Sequence, residues 1–213
     1  MRRQPSSGRN PRKSRAAKEQ RARTLIVCGA QQTEPNYFKE YLSHKNVHKS
    51  LFRIEGLGVT PGRLVKYAAE IQRQELQQGE KFDHIFCVFD KDDFDCFFNA
   101  VAASTSKGYV PITSTPCFEY WFLLHLKQSD APIGPTGNKT SGQKCESMLR
   151  ELLPAYAKND KGVFVKISDG HVSAMEYSSR KFDTGLHGNN PSSNVHELIK
   201  HIDDITERYK NDF

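Results

Sequence analysis

The chain has 213 residues, 31 Lys and Arg against 25 Asp and Glu, a formal charge of +6 and an apolar fraction of 37%. No apolar run approaches the roughly 18 residues of a membrane span, and no apolar stretch follows the N-terminal arginines as a secretory signal would require. The composition excludes an integral membrane protein, a secreted disulfide scaffold and a fibrous protein, while 10% aromatic residues argue against disorder throughout.

The charge is uneven. Residues 1–23 hold nine basic side chains and one acid, Glu19, so this segment carries +8 and leaves −2 for the rest. Its first dozen residues are rich in Pro, Ser, Gly and Asn and contain no apolar pair. A disordered basic arm is expected over 1–23, ahead of a slightly acidic globule. Arg12, Lys13, Arg15, Lys18, Arg21 and Arg23 suit a phosphate backbone, because each neutralised phosphate releases counterions. A solubilising tail is the alternative reading.

Thr24–Cys28 is a short apolar β-type run, followed by a turn and a helix from about Pro35 to His44. Leu51–Glu55 is a second strand. Gly56-Leu57-Gly58 is a turn that could approach a phosphate, and Thr60-Pro61 opens a helix to about Gln77. Phe82–Phe89 is a third strand, nearly all apolar in its second half, the pattern of a strand buried on both faces. A helix over Asp93–Ser106, capped by Asp93, a fourth strand over Tyr109–Thr113 and an apolar helix over Pro116–Leu126 follow. This alternation predicts an open parallel α/β sheet over 24–127. Residues 128–140 read as a loop, and helices near 141–152, 169–182 and 192–210 form a mainly helical extension, with Val163–Ile167 as an edge strand. Cys28, Cys87, Cys96, Cys117 and Cys145 make no C-x-x-C pair. Cys28 and Cys87 end apolar runs and read as core thiols of a reduced cytosol.

Acidic residues carry the chemistry. The third strand runs into Asp90-Lys91-Asp92-Asp93, placing carboxylates at the carboxyl end of a central strand, where ligands bind in such sheets. Asp90 and Asp92 share a side while the backbone stays extended. Two carboxylates held close repel unless a cation lies between them, and Mg²⁺ takes oxygen ligands of this kind. The loop is not an EF-hand, since its twelfth position is Val101. Glu34 follows strand one and Glu119 follows strand four, both in the first turn of a helix. Glu34 could instead simply be a first-turn acid favoured by the helix dipole. His125, after an apolar helical run, reads as a packed polar residue rather than an acid or base. Asn190–Asn194 reads as a turn and N-cap. Gly134–Thr140 lacks the strand and the Gly-Lys step of a P-loop.

The segments Leu25–Cys28, Thr33–Phe38, Cys87–Asp92, Pro116–His125 and Asn190–Val195, in that order, resemble the RloB family, prokaryotic proteins often encoded beside restriction–modification and other anti-phage loci. That family is similar to Toprim domains, the Mg²⁺-binding fold of topoisomerases, primases and OLD-family nucleases. The resemblance implies a Toprim-like sheet in which Asp90-Lys91-Asp92 matches the Asp-x-Asp of the metal site. Glu34, Asp90, Asp92 and Glu119 become the expected catalytic set, Mg²⁺ or Mn²⁺ the cofactor held by Glu34, Asp90 and Asp92, and Lys91 a further nucleic-acid contact. It also implies a partner protein of a defence locus or a second copy of the chain. One position departs: Gly29 stands where the family reads Glu. Two functions follow, a metal-dependent nuclease using Glu34 as its third acid, and a degenerate module that binds nucleic acid or a partner without cutting.

Overall fold

The structure is a computed structural model that describes residues 21–92, 94–182 and 187–210. The candidate contacts Arg12, Lys13, Arg15 and Lys18 therefore lie outside the described residues, as does Asp93. Five strands form one sheet: β1 (Thr24–Cys28), β2 (Phe52–Gly56), β3 (His84–Asp90), β4 (Val110–Thr115) and β5 (Ser192–Ser193), in the order β2-β1-β3-β4-β5. The first four pair in parallel and β5 runs antiparallel to β4. This is the open, Toprim-like α/β sheet that the sequence predicts. The helices are α1 (Thr33–His44), α2 (Pro61–Gln77), α3 (Phe97–Ser106), α4 (Glu119–Leu126), α5 (Ser141–Leu152), α6 (Val163–Ile167), α7 (His171–Lys181) and α8 (Val195–Tyr209). None of the described helices is long and apolar enough to cross a membrane.

Both sheet faces are covered, which is why β1 and β3 read as unbroken apolar runs. Leu25, Val27, Ile85, Cys87 and Phe89 face Leu64, Val65 and Ala68 of α2 and Phe97 and Ala100 of α3. The alternate residues Ile26, Cys28, Phe86 and Val88 face a larger cluster built from α1 and the helices after β4. Trp121, Leu149, Ile202 and Ile205 belong to that same cluster. The helical extension thus completes the core of the sheet.

Three local expectations are corrected. Val163–Ile167 is not an edge strand but helix α6. Its β-branched composition suggested a strand, yet Gly162 turns the chain at φ 80°. The Glu40 carboxylate of α1 then accepts from the Gly162 N–H and, at 3.0 Å, from the Phe164 N–H, so tertiary contacts override propensity. Helix α3 begins at Phe97, after Cys96, rather than at Asp93. Before it, the Phe94 N–H donates to Lys91 O at 3.1 Å. Finally, the edge strand is β5, within the segment read as a turn. Asn194 does precede α8 but does not cap it. Its side-chain oxygen accepts from the Thr113 N–H at 2.6 Å and its amide donates to Pro111 O at 3.0 Å, extending the sheet with a side chain where β5 ends.

Asn194 is buried, so its loss leaves a backbone donor and an acceptor of β4 unpaired. Asn194→Ala is expected to destabilise the protein by about 3 kcal/mol, measured by urea unfolding. A change below about 0.5 kcal/mol would show that water takes over both bonds.

Candidate functional site

The order β2-β1-β3-β4 reverses direction between β1 and β3, and the crevice at the carboxyl ends of those strands is where open α/β sheets bind ligands. A cleft of about 290 Å³ lies there, lined by Gly29, Ala30, Glu34, Gly58, Thr60, Pro61, Asp90 and Asp92 among others. Its floor is the end of β1, where the Gly29 N–H donates to Val88 O at 2.8 Å. One wall is the turn after β2, tied down by Leu57 N–H to Cys28 O and Val59 N–H to Gly29 O. Glycine is required at position 56, because a Cβ there would sit 2.5 Å from Gln31 O.

Glu34 reaches the cleft because α1 starts immediately after the short turn that follows β1. Its carboxylate folds back so that Oε1 accepts from the Ala30 N–H at 3.3 Å. The residue is 1% exposed and Oε2 has no partner. Burial, with Glu119 adding repulsion, pushes its pKa up to about 7, against the pull of the Glu34 and Ala30 amides. Asp90 is the last residue of β3. Its Oδ1 is buried without a partner, and burial first, then Glu34 and Glu119, hold its pKa well above the usual carboxylate range.

Asp92 lies beyond the extended backbone on which its alignment with Asp90 was argued. Its φ is 35°, and its N–H donates to Pro116 O at 3.0 Å. The turn nevertheless leaves it lining the same cleft, close to the start of α5. Glu119 opens α4 and is 2% exposed, and its Oε1 accepts from the Tyr156 hydroxyl at 3.0 Å. Three of the four expected acids, Glu34, Asp90 and Asp92, thus line one cleft at the ends of β1 and β3; Glu119, after β4, does not line it, but its charge acts on Glu34 and Asp90. All the donor atoms they offer are oxygens, the set a hard divalent cation takes. Two of those oxygens are buried and unpaired, which suits a missing positive charge. Among the described residues, no three His, Cys, Asp or Glu side chains already stand in a metal-holding arrangement.

Other predicted contacts lie elsewhere. Lys91 does not line the cleft: its ammonium donates to Gly188 O at 2.9 Å and sits 5.4 Å from the centre of the Phe98 ring. Arg23 belongs to the globule rather than to an arm, bridging Glu75 and Glu80 at 2.8 Å each and covering Phe82. Arg21 is the first described residue. His125 is a packed histidine, its Nδ1 on Trp121 O at 2.8 Å and its pKa lowered to about 3 by burial. Two residues at the site carried no sequence signal. Tyr156 and Lys158 come from the irregular segment between α5 and α6, and Lys158 Nζ lies 4.0 Å from Glu119 Oε1.

A family model described as RloB-like protein matches residues 24–202. Among curated proteins and among solved structures, nothing matches the chain.

The raised pKa of Glu34 has a sign that can be measured. Its folded value of about 7 lies above the ordinary 4.5. The folded state therefore holds the proton more tightly, and the associated stability is present below pH 4.5 and lost as pH rises through 7. Glu34→Gln removes this loss. Without divalent cations, the variant should gain stability relative to the wild type between pH 4.5 and 7, on the order of 3 kcal/mol. Comparing the two proteins cancels the opposing titration of the buried histidines. A difference in stability that does not vary with pH would mean that Glu34 is not protonated by burial.

Proposed function

We propose that this chain, which belongs to the RloB-like family, is a divalent-metal-dependent nuclease that hydrolyses phosphodiester bonds of DNA or RNA in prokaryotic defence against phage. The observation that carries the reading is the pair of buried, partnerless oxygens, Glu34 Oε2 and Asp90 Oδ1, in one cleft at the switch point. Uncompensated buried carboxylates are costly, and a cation relieves the cost. Glu34, Asp90 and Asp92 would hold Mg²⁺ or Mn²⁺, with Glu119 completing the cluster. Such an ion activates water and stabilises the charge that develops on a phosphate under attack.

The chain's own residues provide position. Glu34 is fixed by the Ala30 amide and Glu119 by Tyr156, so the acids are aimed before any ligand arrives. Gly56, before the turn after β2, lets that segment approach the end of β1 closely, since a Cβ there would sit 2.5 Å from Gln31 O. The basic arm would add affinity for the phosphate backbone without sequence preference. The defensive role is carried over from the family resemblance alone.

The second reading, a module that binds nucleic acid or a partner without cutting, is favoured by Gly29. A Cβ at that position meets nothing closer than 3.6 Å, so contact at that atom does not force a glycine there. Purified protein incubated with labelled DNA and RNA separates the two. Cleavage is expected with Mn²⁺ and not with EDTA. Asp90→Asn and Glu34→Gln should each reduce it by about 100-fold or more, and Gly29→Glu should add little. A silent Glu34→Gln together with activity gained by Gly29→Glu would instead identify a degenerate site and establish the binding module.

A further inference from the structure

Lys158 brings a cation close to the acidic cluster. Lys158 Nζ stands 4.0 Å from Glu119 Oε1, and its charge interacts with Glu34 and Asp90 as well. The distance is too long for a hydrogen bond, and Glu119 Oε1 already accepts from Tyr156. The ammonium makes no hydrogen bond with the described residues, so its three donors remain available. The Lys158 side chain is 58% exposed whereas that of Glu119 is 3% exposed. The lysine therefore reaches in from solvent toward acids that cannot reach out.

Its backbone is held more firmly than its head group. Tyr156, two residues earlier, is buried and bonded to Glu119, and Asn159 O accepts from the Asn36 amide of α1 at 3.2 Å. A lysine placed only to neutralise Glu119 would be expected at contact distance. This one is anchored by its neighbours while its ammonium stays unbonded, between water and the cluster. A metal entering the cluster would take over the attraction that now draws Lys158 inward and leave the ammonium facing whatever anion follows.

We propose that Lys158 is the substrate-phosphate contact of this site, donating to a non-bridging oxygen of the phosphodiester while the carboxylates hold the metal. The inference rests on the nuclease reading, since it assigns a substrate atom to a residue whose charge acts on the same acids. No bond is made or broken at Lys158. Its role is to place and neutralise the phosphate.

The test follows two readouts separately. Thermal melting with Mn²⁺ reports the metal. Anisotropy of a short fluorescein-labelled single-stranded DNA or RNA, in Ca²⁺ across a salt series, reports the phosphate contact. Lys158→Met should keep the Mn²⁺-induced rise in Tm yet bind the oligonucleotide about tenfold more weakly, with the salt slope reduced by about one. Lys158→Arg should restore most of the affinity. Tyr156→Phe, which removes only the loop's bond to Glu119, should leave the salt slope unchanged. An unchanged slope in Lys158→Met, or loss of the Mn²⁺ shift in that variant, would overturn the proposal and make Lys158 a positioning residue for Glu119. A wild type that shows no Mn²⁺ shift would instead overturn the metal-site reading, and this inference with it.

Discussion

Glu34, Asp90 and Glu119 are brought close together in a largely buried site, where Glu119 raises the energy of charge on Glu34, and both glutamates raise it on Asp90. Left alone, such groups would take up protons, draw in water or move apart. The structure limits the last of these escapes. The acids leave three adjacent parallel strands, β1, β3 and β4, whose spacing is set by backbone hydrogen bonds and whose faces are sealed by helices. The backbones of these acids can separate only if the sheet itself gives way.

The apolar layers explain how the cost is borne. Tyr37, one helical turn beyond Glu34, packs edge-on against Phe118 and at a tilt against Phe122, with ring centres 5.7 and 5.4 Å away. Those two rings flank Glu119 along α4. The separation of the two buried glutamates is therefore governed by aromatic contacts, because α1 and α4 are locked together by the residues next to them. Tyr37 also meets Trp121 and Phe164, which carries the constraint into α6. The favourable helix dipole at each first turn offsets part of the repulsion.

Much of this was legible in the chain. Strand β1 and helix α2 begin and end where periodicity and the Thr60-Pro61 signal put them, because both are governed by local pattern and burial on a sheet face. The acids at the strand ends were legible for the same reason: an apolar run that stops in a carboxylate has few places to put it. What could not be read depends on distant partners. Val163–Ile167 has strand composition, but Glu40, more than a hundred residues earlier, makes it a helix. Ser192-Ser193 became a strand because β4 had an unpaired edge to offer. Tyr156 and Lys158 lie in a segment without periodicity, and only the packing of α5 and α6 against α4 brings them to Glu119.

The side chain of Asn194 has a consequence beyond the stability of β4. Strand β5 is only two residues long and covers Ser114 and Thr115, which by itself would leave the earlier part of β4 as a row of unpaired backbone groups. Such a row is a template for a strand from another molecule. Asn194 occupies it at Thr113 and Pro111 with one amide, a group too small to be extended by a further strand. The sheet is thus terminated on this side by chemistry rather than by length, and the protein is spared an edge through which its copies could polymerise.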